Sequence, residues 1–230
     1  MLKGILIDIG GTIIENKNFD FQKLFNKIYD LNQNKNLSYD EYIKINKHLQ
    51  SITYDNRKEK EIKFIDYFRY LQKFCDLQFN KSLEEIELEV VLSITDTQLI
   101  KGVIDFLDYC VGNNIKIIAV SNTTFSKAVV IKQLELFGLE KYFNDILVSS
   151  DYLFRKPSLD FYKLAVEVIG LDIEELLFIG NDYLCDIVGP NELGIKTCWL
   201  NINQEPNYKG VNTTVICRYE DLIYKLKDLD

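Results

Sequence analysis

Six short apolar runs punctuate the chain, and each ends in a polar loop: GILIDIG from Gly4, IKIIAVSN from Ile115, DILVSS from Asp145, LLFIGND from Leu176, KTCWLN from Lys196 and TTVICR from Thr213. Their apolar character is continuous rather than alternating, which is the pattern of strands covered on both faces in a parallel sheet. Between them lie longer stretches with helical periodicity: VIDFLDYCVGNN from Val103, FSKAVVIKQLELFG from Phe125, SLDFYKLAVEVIG from Ser158 and YEDLIYKLKDL from Tyr219. Gly138 and Gly170 each follow such a stretch, where a left-handed C-terminal cap is expected. Repeated strand–helix units predict an α/β fold with a doubly wound, Rossmann-like parallel sheet.

Residues 16–95 follow a different pattern. FQKLFNKIY, YDEYIKINKHLQSI and EIKFIDYFRYLQKF place apolar residues at spacings near 3.6, and the whole stretch contains neither glycine nor proline. It reads as an all-helical domain inserted after the first strand, so that residues 1–15 and 96–230 form the α/β core. No internal repeat interrupts either part.

The net charge of −8 argues against a polyanion such as nucleic acid as partner. No apolar segment approaches the ~18 residues that cross a bilayer, and the N-terminal run is broken by Lys3 and Asp8, unlike a secretory leader. Five scattered cysteines form no CxxC pair, which is the usage of free thiols in a reducing compartment. These features predict a cytoplasmic protein with no membrane contact that acts on a small molecule. The single histidine, His48, reads as a polar residue on a helix surface and leaves no material for a histidine-based site.

In open α/β sheets ligands bind beyond the carboxyl ends of the strands. The chemically capable residues collect there. Asp8 ends the first run, Ser121 the second, Lys156 follows the third, and Asn181, Asp182 and Asp186 follow the fourth. A carboxylate at a strand tip can attack phosphorus or carbon and form a covalent intermediate that water then breaks. Ser121 and Lys156 can donate hydrogen bonds to the oxygens of a transferring phosphoryl group or of a substrate carboxylate. In the inserted domain Arg57 and Arg69 are the side chains suited to a substrate anion, because a guanidinium binds phosphate or carboxylate in bidentate fashion.

These residues, in this order, resemble the motifs of the haloacid dehalogenase superfamily of aspartate-nucleophile hydrolases. DIGGT stands where the family has DxDxT, IIAVSNTT supplies the Ser/Thr motif, RKPSLDFY the lysine motif, and LLFIGNDYLCDIVG the acidic loop. The helical insertion is similar to the family's small cap domain of the first class. The resemblance implies Asp8, Ser121 and Lys156 as catalytic residues, with Thr12, Asn122 and Arg57 binding substrate. It also implies Mg²⁺ held by Asp8, the carbonyl of Gly10 and, from the fourth motif, Asn181 or Asp182 directly, with Asp186 as an outer-sphere ligand. Glycine serves that carbonyl role, but the family's usual first acid in the fourth motif falls on Asn181.

Gly10 stands where phosphatases of the family carry a second acid that protonates the leaving oxygen and activates water. Its absence leaves three readings: a phosphatase for leaving groups that need no proton, a metal-independent hydrolase like the 2-haloacid dehalogenases, or a catalytically weak binding protein. A further relative, phosphonoacetaldehyde hydrolase, also lacks this acid and uses a cap lysine; Lys17, Lys23 and Lys27 lie near the cap entry. A positive φ at Gly10 is expected to strain any replacement there.

Overall fold

The computed structural model describes residues 1–34, 36–54, 57, 59–206 and 210–227. In chain order the elements are β1 (Gly4–Ile7), β2 (Ile14–Asn16), α1 (Phe21–Leu31), α2 (Tyr39–Thr53), α3 (Phe64–Cys75), α4 (Leu83–Ile94), β3 (Thr97–Leu99), α5 (Val103–Gly112), β4 (Lys116–Ser121), α6 (Lys127–Glu135), β5 (Asp145–Val148), α7 (Ser149–Tyr152), α8 (Leu159–Ile169), β6 (Leu176–Gly180), a π-helical turn (Tyr183–Val188), α9 (Gly189–Glu192), β7 (Lys196–Leu200), β8 (Thr214–Ile216) and α10 (Tyr219–Lys227).

Six of the strands form one parallel sheet in the order β5-β4-β1-β6-β7-β8. Successive residues of a strand point to opposite faces, and both faces are buried. Ile5, Ile7, Ile117 and Ala119 join Phe106 of α5 and Leu222 of α10 in one apolar cluster, whereas Leu6, Ile118, Val120 and Phe178 join Phe161 and Ala165 of α8 in another. That two-sided burial explains why the strands read as unbroken apolar runs. β1 lies at the centre, between β4 and β6, where the direction of winding reverses. Asp8, one residue beyond β1, therefore sits at the switch point where open α/β sheets form their ligand crevice.

The chain leaves the core through β2 and returns through β3, which pair antiparallel as Ile14–Leu99, Glu15–Gln98 and Asn16–Thr97. Between them α1–α4 form an all-helical cap around Leu24, Phe25, Tyr42, Phe64, Phe68 and Val90. The helix starts are locally encoded. Ser38 with Glu41 and Ser82 with Glu85 form capping boxes at α2 and α4, and Asp20 caps α1 through the Gln22 amide. Helix α4, LEEIELEVVLSI, is a cap element beyond the three periodic stretches singled out in the sequence. The cap cluster also takes in Val129 of α6, and Phe125 of the loop after β4 packs on Phe19, Phe21 and Phe64.

All five cysteines are free, and His48 is exposed on α2. Among the described residues no helix is long and apolar enough to cross a membrane.

Candidate active site

Lys156 is the centre of the crevice. Its ammonium, 2% exposed, donates to Asp8 Oδ1 and to Asp186 Oδ1, both at 2.7 Å. Burial alone would lower a lysine pKa, but the two carboxylates outweigh it and hold Lys156 above its ordinary range. Asp186 is pushed up to about 7, chiefly by burial and further by the charge of Asp8, against the pull of Lys156. The trio carries one net negative charge when both carboxylates are ionised.

Each member is positioned by a local device. Asp8 follows β1, with its amide donating to Ile179 O at 2.9 Å, and Thr12 Oγ1 lies 3.2 Å from its Oδ2. The same Thr12 hydroxyl lies 3.1 Å from Asn181 Oδ1, so Asp8 Oδ2 and the Asn181 carbonyl converge on one point. Asp186 Oδ2 accepts from the Asp182 amide at 2.9 Å. The backbone of Gly180 makes room for it, because a Cβ there would stand 2.2 Å from the Asp186 carboxyl. Lys156 is held through its main chain. Asn122 Oδ1 accepts from Lys156 N at 2.8 Å, and Asn122 Nδ2 donates to Lys156 O at 2.9 Å. Ser121, 6% exposed at the end of β4, has a hydroxyl without a protein hydrogen-bond partner among the described residues.

The remaining candidates are placed differently. Asp182 is exposed and caps the π-helical turn, its Oδ1 accepting from Cys185 N at 2.8 Å. That leaves Asn181, not Asp182, facing Thr12. Arg57 donates to the buried Glu61 at 3.1 Å and stacks its guanidinium 5.5 Å from the Tyr54 ring centre, so it is committed within the cap. Arg69 pairs with Asp66 and Glu84 on the surface. Lys17, Lys23 and Lys27 are all exposed, which is unlike the desolvated lysine that Schiff-base chemistry needs. The positive φ expected at Gly10 belongs to Gly11, at +77°. A Cβ at Gly10 meets nothing within 4 Å, whereas one at Gly11 would stand 2.6 Å from Asn181 Nδ2.

Two residues escaped the sequence reading. Glu61, 5% exposed, accepts from Ser149 Oγ at 2.7 Å, from Ile62 N at 3.0 Å and from Arg57, with Arg155 Nε 3.8 Å away. It ties the cap to the segment that carries Lys156. Arg155, beside Lys156, has its pKa lowered by burial and by Arg57, against the pull of Glu61.

Asp8 and Asn181 converge on Thr12, and the exposed Gly10 carries a main-chain carbonyl between Asp8 and Thr12 in sequence. This is an oxygen-only donor set, which suits Mg²⁺, an ion that takes one or two carboxylates and keeps several waters. The second carboxylate, Asp186, is already held by Lys156 and the Asp182 amide. No group of three His, Cys, Asp or Glu side chains suited to a metal occurs among the described residues. The set therefore fits a weakly held ion.

The profile of the haloacid dehalogenase-like hydrolases matches residues 2–194, and the chain belongs to that family. It is 30% identical over 128 residues to the pyrimidine 5'-nucleotidase PynA of Streptococcus pneumoniae, covering 55% of this chain and 53% of that protein. YfnB of Bacillus subtilis, whose crystal structure is described as bound to magnesium, superposes with a TM-score of 0.62 at 26% identity over 98% of both chains. A 2-haloacid dehalogenase from Pseudomonas syringae superposes over 100% of both chains with a TM-score of 0.70, at 15% identity, a likeness of fold alone. The chain spans about half the length of the curated relatives it matches in sequence.

Proposed function

We propose that the protein is a Mg²⁺-assisted phosphatase acting on a small phosphorylated metabolite through an aspartyl-phosphate formed on Asp8. The observation that supports this best is the Asp8–Lys156–Asp186 trio, with Asp8 Oδ2 converging with Asn181 on Thr12. Lys156 holds Asp8 in place through a 2.7 Å hydrogen bond, and it can share its charge with the phosphoryl oxygens as they approach. Ser121 donates its unengaged hydroxyl to the same oxygens. Asn122 fixes Lys156 through the main chain and is a positioning residue rather than a substrate contact. Asp8, the Gly10 carbonyl and Asn181 would hold the ion, which supplies charge neutralisation for the transferring group. The likenesses to PynA, named as a nucleotidase, and to YfnB, described as bound to magnesium, support phosphoryl chemistry with Mg²⁺ and leave the leaving group open.

A second reading, metal-independent hydrolysis of a carbon–halogen bond, is favoured by one observation: Gly10 and Asn181 leave the crevice without a three-carboxylate metal cluster among the described residues. Assays on phosphate esters, acyl phosphates and 2-chloro acids, each with Mg²⁺ and with chelator, separate the two. The phosphatase reading expects phosphate release that falls on chelation, and Asp8→Asn to lower it by at least about 10,000-fold while circular dichroism stays unchanged. Chloride release that is insensitive to chelator would replace this reading with the second.

A further inference from the structure

The proton inventory of the crevice restricts what can leave from phosphorus. Lys156 donates to Asp8 and Asp186. Asp186, although its pKa is pushed up to about 7, is 1% exposed with both oxygens engaged, by Lys156 and by the Asp182 amide, so a proton on it is held inside the trio and not presented to a leaving group. Asp182 accepts from Cys185 N, and the Thr12 hydroxyl is shared between Asp8 and Asn181. The one histidine, His48, lines an outer cavity of the cap with Ile52 and Phe74. At position 10, two residues beyond the nucleophile, there is no side chain, and a Cβ there would meet no described protein atom within 4 Å other than its chain neighbours. The acids nearest the nucleophile are thus occupied as acceptors, and position 10 adds none.

We infer that the natural substrates are phosphoryl compounds whose leaving group departs as a stabilised anion, such as an acyl or enol phosphate, and not alkyl phosphate monoesters. The inference rests on the phosphatase reading above. For an acyl phosphate the steps balance without an acid. A carboxylate oxygen of Asp8 forms a bond to phosphorus, and the P–O bond to the leaving group breaks with its electron pair on the departing carboxylate. Water then adds to phosphorus, the P–O bond to Asp8 breaks with its pair returning to Asp8, and both water protons remain on the released H₂PO₄⁻. The aspartyl-phosphate is itself an acyl phosphate, so the second step also expels a carboxylate. An alkoxide has no such stabilisation, and a positioned general acid is worth about 100- to 10,000-fold.

The test compares acetyl phosphate, 4-nitrophenyl phosphate and a set of alkyl phosphates at saturating Mg²⁺, for wild type, Gly10→Asp and Gly10→Asn. We expect wild type to turn over the alkyl esters at least about 100-fold more slowly than the activated compounds. Gly10→Asp should narrow that ratio at least about tenfold, and Gly10→Asn, the same size without the proton, should not. Should Gly10→Asp fail to fold, the wild-type rates across aryl phosphates of graded leaving-group acidity decide alone: a steep fall with rising leaving-group pKa supports the inference, and a flat series overturns it. Comparable wild-type rates on alkyl and acyl phosphates, or a folded Gly10→Asp that leaves the ratio unmoved, overturn the inference but leave the phosphatase reading standing. Release of chloride with no phosphate release from any compound overturns both.

Discussion

Gly10 and Gly11 are adjacent in the chain but differ in what each would tolerate in a side chain's place. Gly11 has φ +77° and Asn181 packed where a Cβ would go, while Gly10 faces open space. Gly10→Ala should leave thermal stability within about 0.5 kcal/mol, as for other unconstrained sites. Gly11→Ala should cost about 1–3 kcal/mol in backbone strain and, by displacing Asn181, weaken Mg²⁺ binding. Thermal melts and calorimetric Mg²⁺ titration of the two variants check this; equal effects would mean that the Gly11–Asn181 contact does not shape the site. At this scale much of the crevice was legible. Asp8, Ser121, Lys156 and Asp186 announce themselves as polar residues at or after the ends of unbroken apolar runs. The role of Asn122 was not legible: the family resemblance assigned it to substrate, whereas in the structure it engages the main chain of Lys156, 34 positions away. The pattern of the chain does not tell which of two adjacent glycines takes the positive φ; it falls at Gly11, where a Cβ would meet Asn181, so the expectation at Gly10 fell one residue short.

Elements of the cap meet the core along a seam of polar contacts. The segment before α3 pairs with the loop before Lys156 through Glu61 N to Leu153 O at 2.8 Å and Arg155 N to Glu59 O at 3.1 Å. Glu61 gathers Arg57, Ser149 and, more loosely, Arg155 at that joint. Removing it leaves two part-buried guanidiniums short of their carboxylate, so Glu61→Ala should destabilise by about 3–5 kcal/mol, read by urea denaturation, and Glu61→Gln by less. A second acid of the seam, Glu87 on α4, accepts from Ser126 N at 3.1 Å, while its other oxygen is buried without a partner. Burial raises its pKa above the ordinary glutamate range, against the opposing Ser126 hydrogen bond. A carboxyl whose folded pKa is raised binds its proton more tightly in the folded chain. Its stabilising effect is complete below the unfolded value near 4.3 and fades as pH rises through the folded value. Glu87→Gln should therefore gain on wild type in melting temperature from pH 4.5 to pH 8; a constant difference would refute the assignment. Neither acid was legible as an interface residue, since a glutamate near or on a helix reads as solvated until its packing partner, far along the chain, is known.

For the whole molecule, the consequence is that the cap is joined to the core at more places than its chain crossings. Besides the β2–β3 ribbon, it grips the loop that follows Ser121, through Phe64 N to Thr124 O at 2.8 Å and Ser126 N to Glu87, and the loop that precedes Lys156. The first loop begins directly after the proposed phosphoryl-binding hydroxyl at the end of β4, and the second leads into the lysine that holds Asp8. A cap that swung on its ribbon alone would leave them in place; a cap attached in this way must pull on both as it opens. The alternation of strands and helices could reveal the layered core and its insertion, but not this attachment, which joins segments some 40 to 95 residues apart. The seam amides of Glu61, Phe64, Ser126 and Arg155 should then open as one unit, with a lower opening free energy than the β1 amides at the centre of the sheet. In native-state hydrogen exchange the four should respond together to mild denaturant, and orthophosphate with Mg²⁺ should slow all four by a common factor, because an anion at Ser121 and Lys156 stabilises the loops that the seam holds. Exchange of the four at unrelated rates, or protection by orthophosphate confined to Arg155, would show that the cap moves independently of the site.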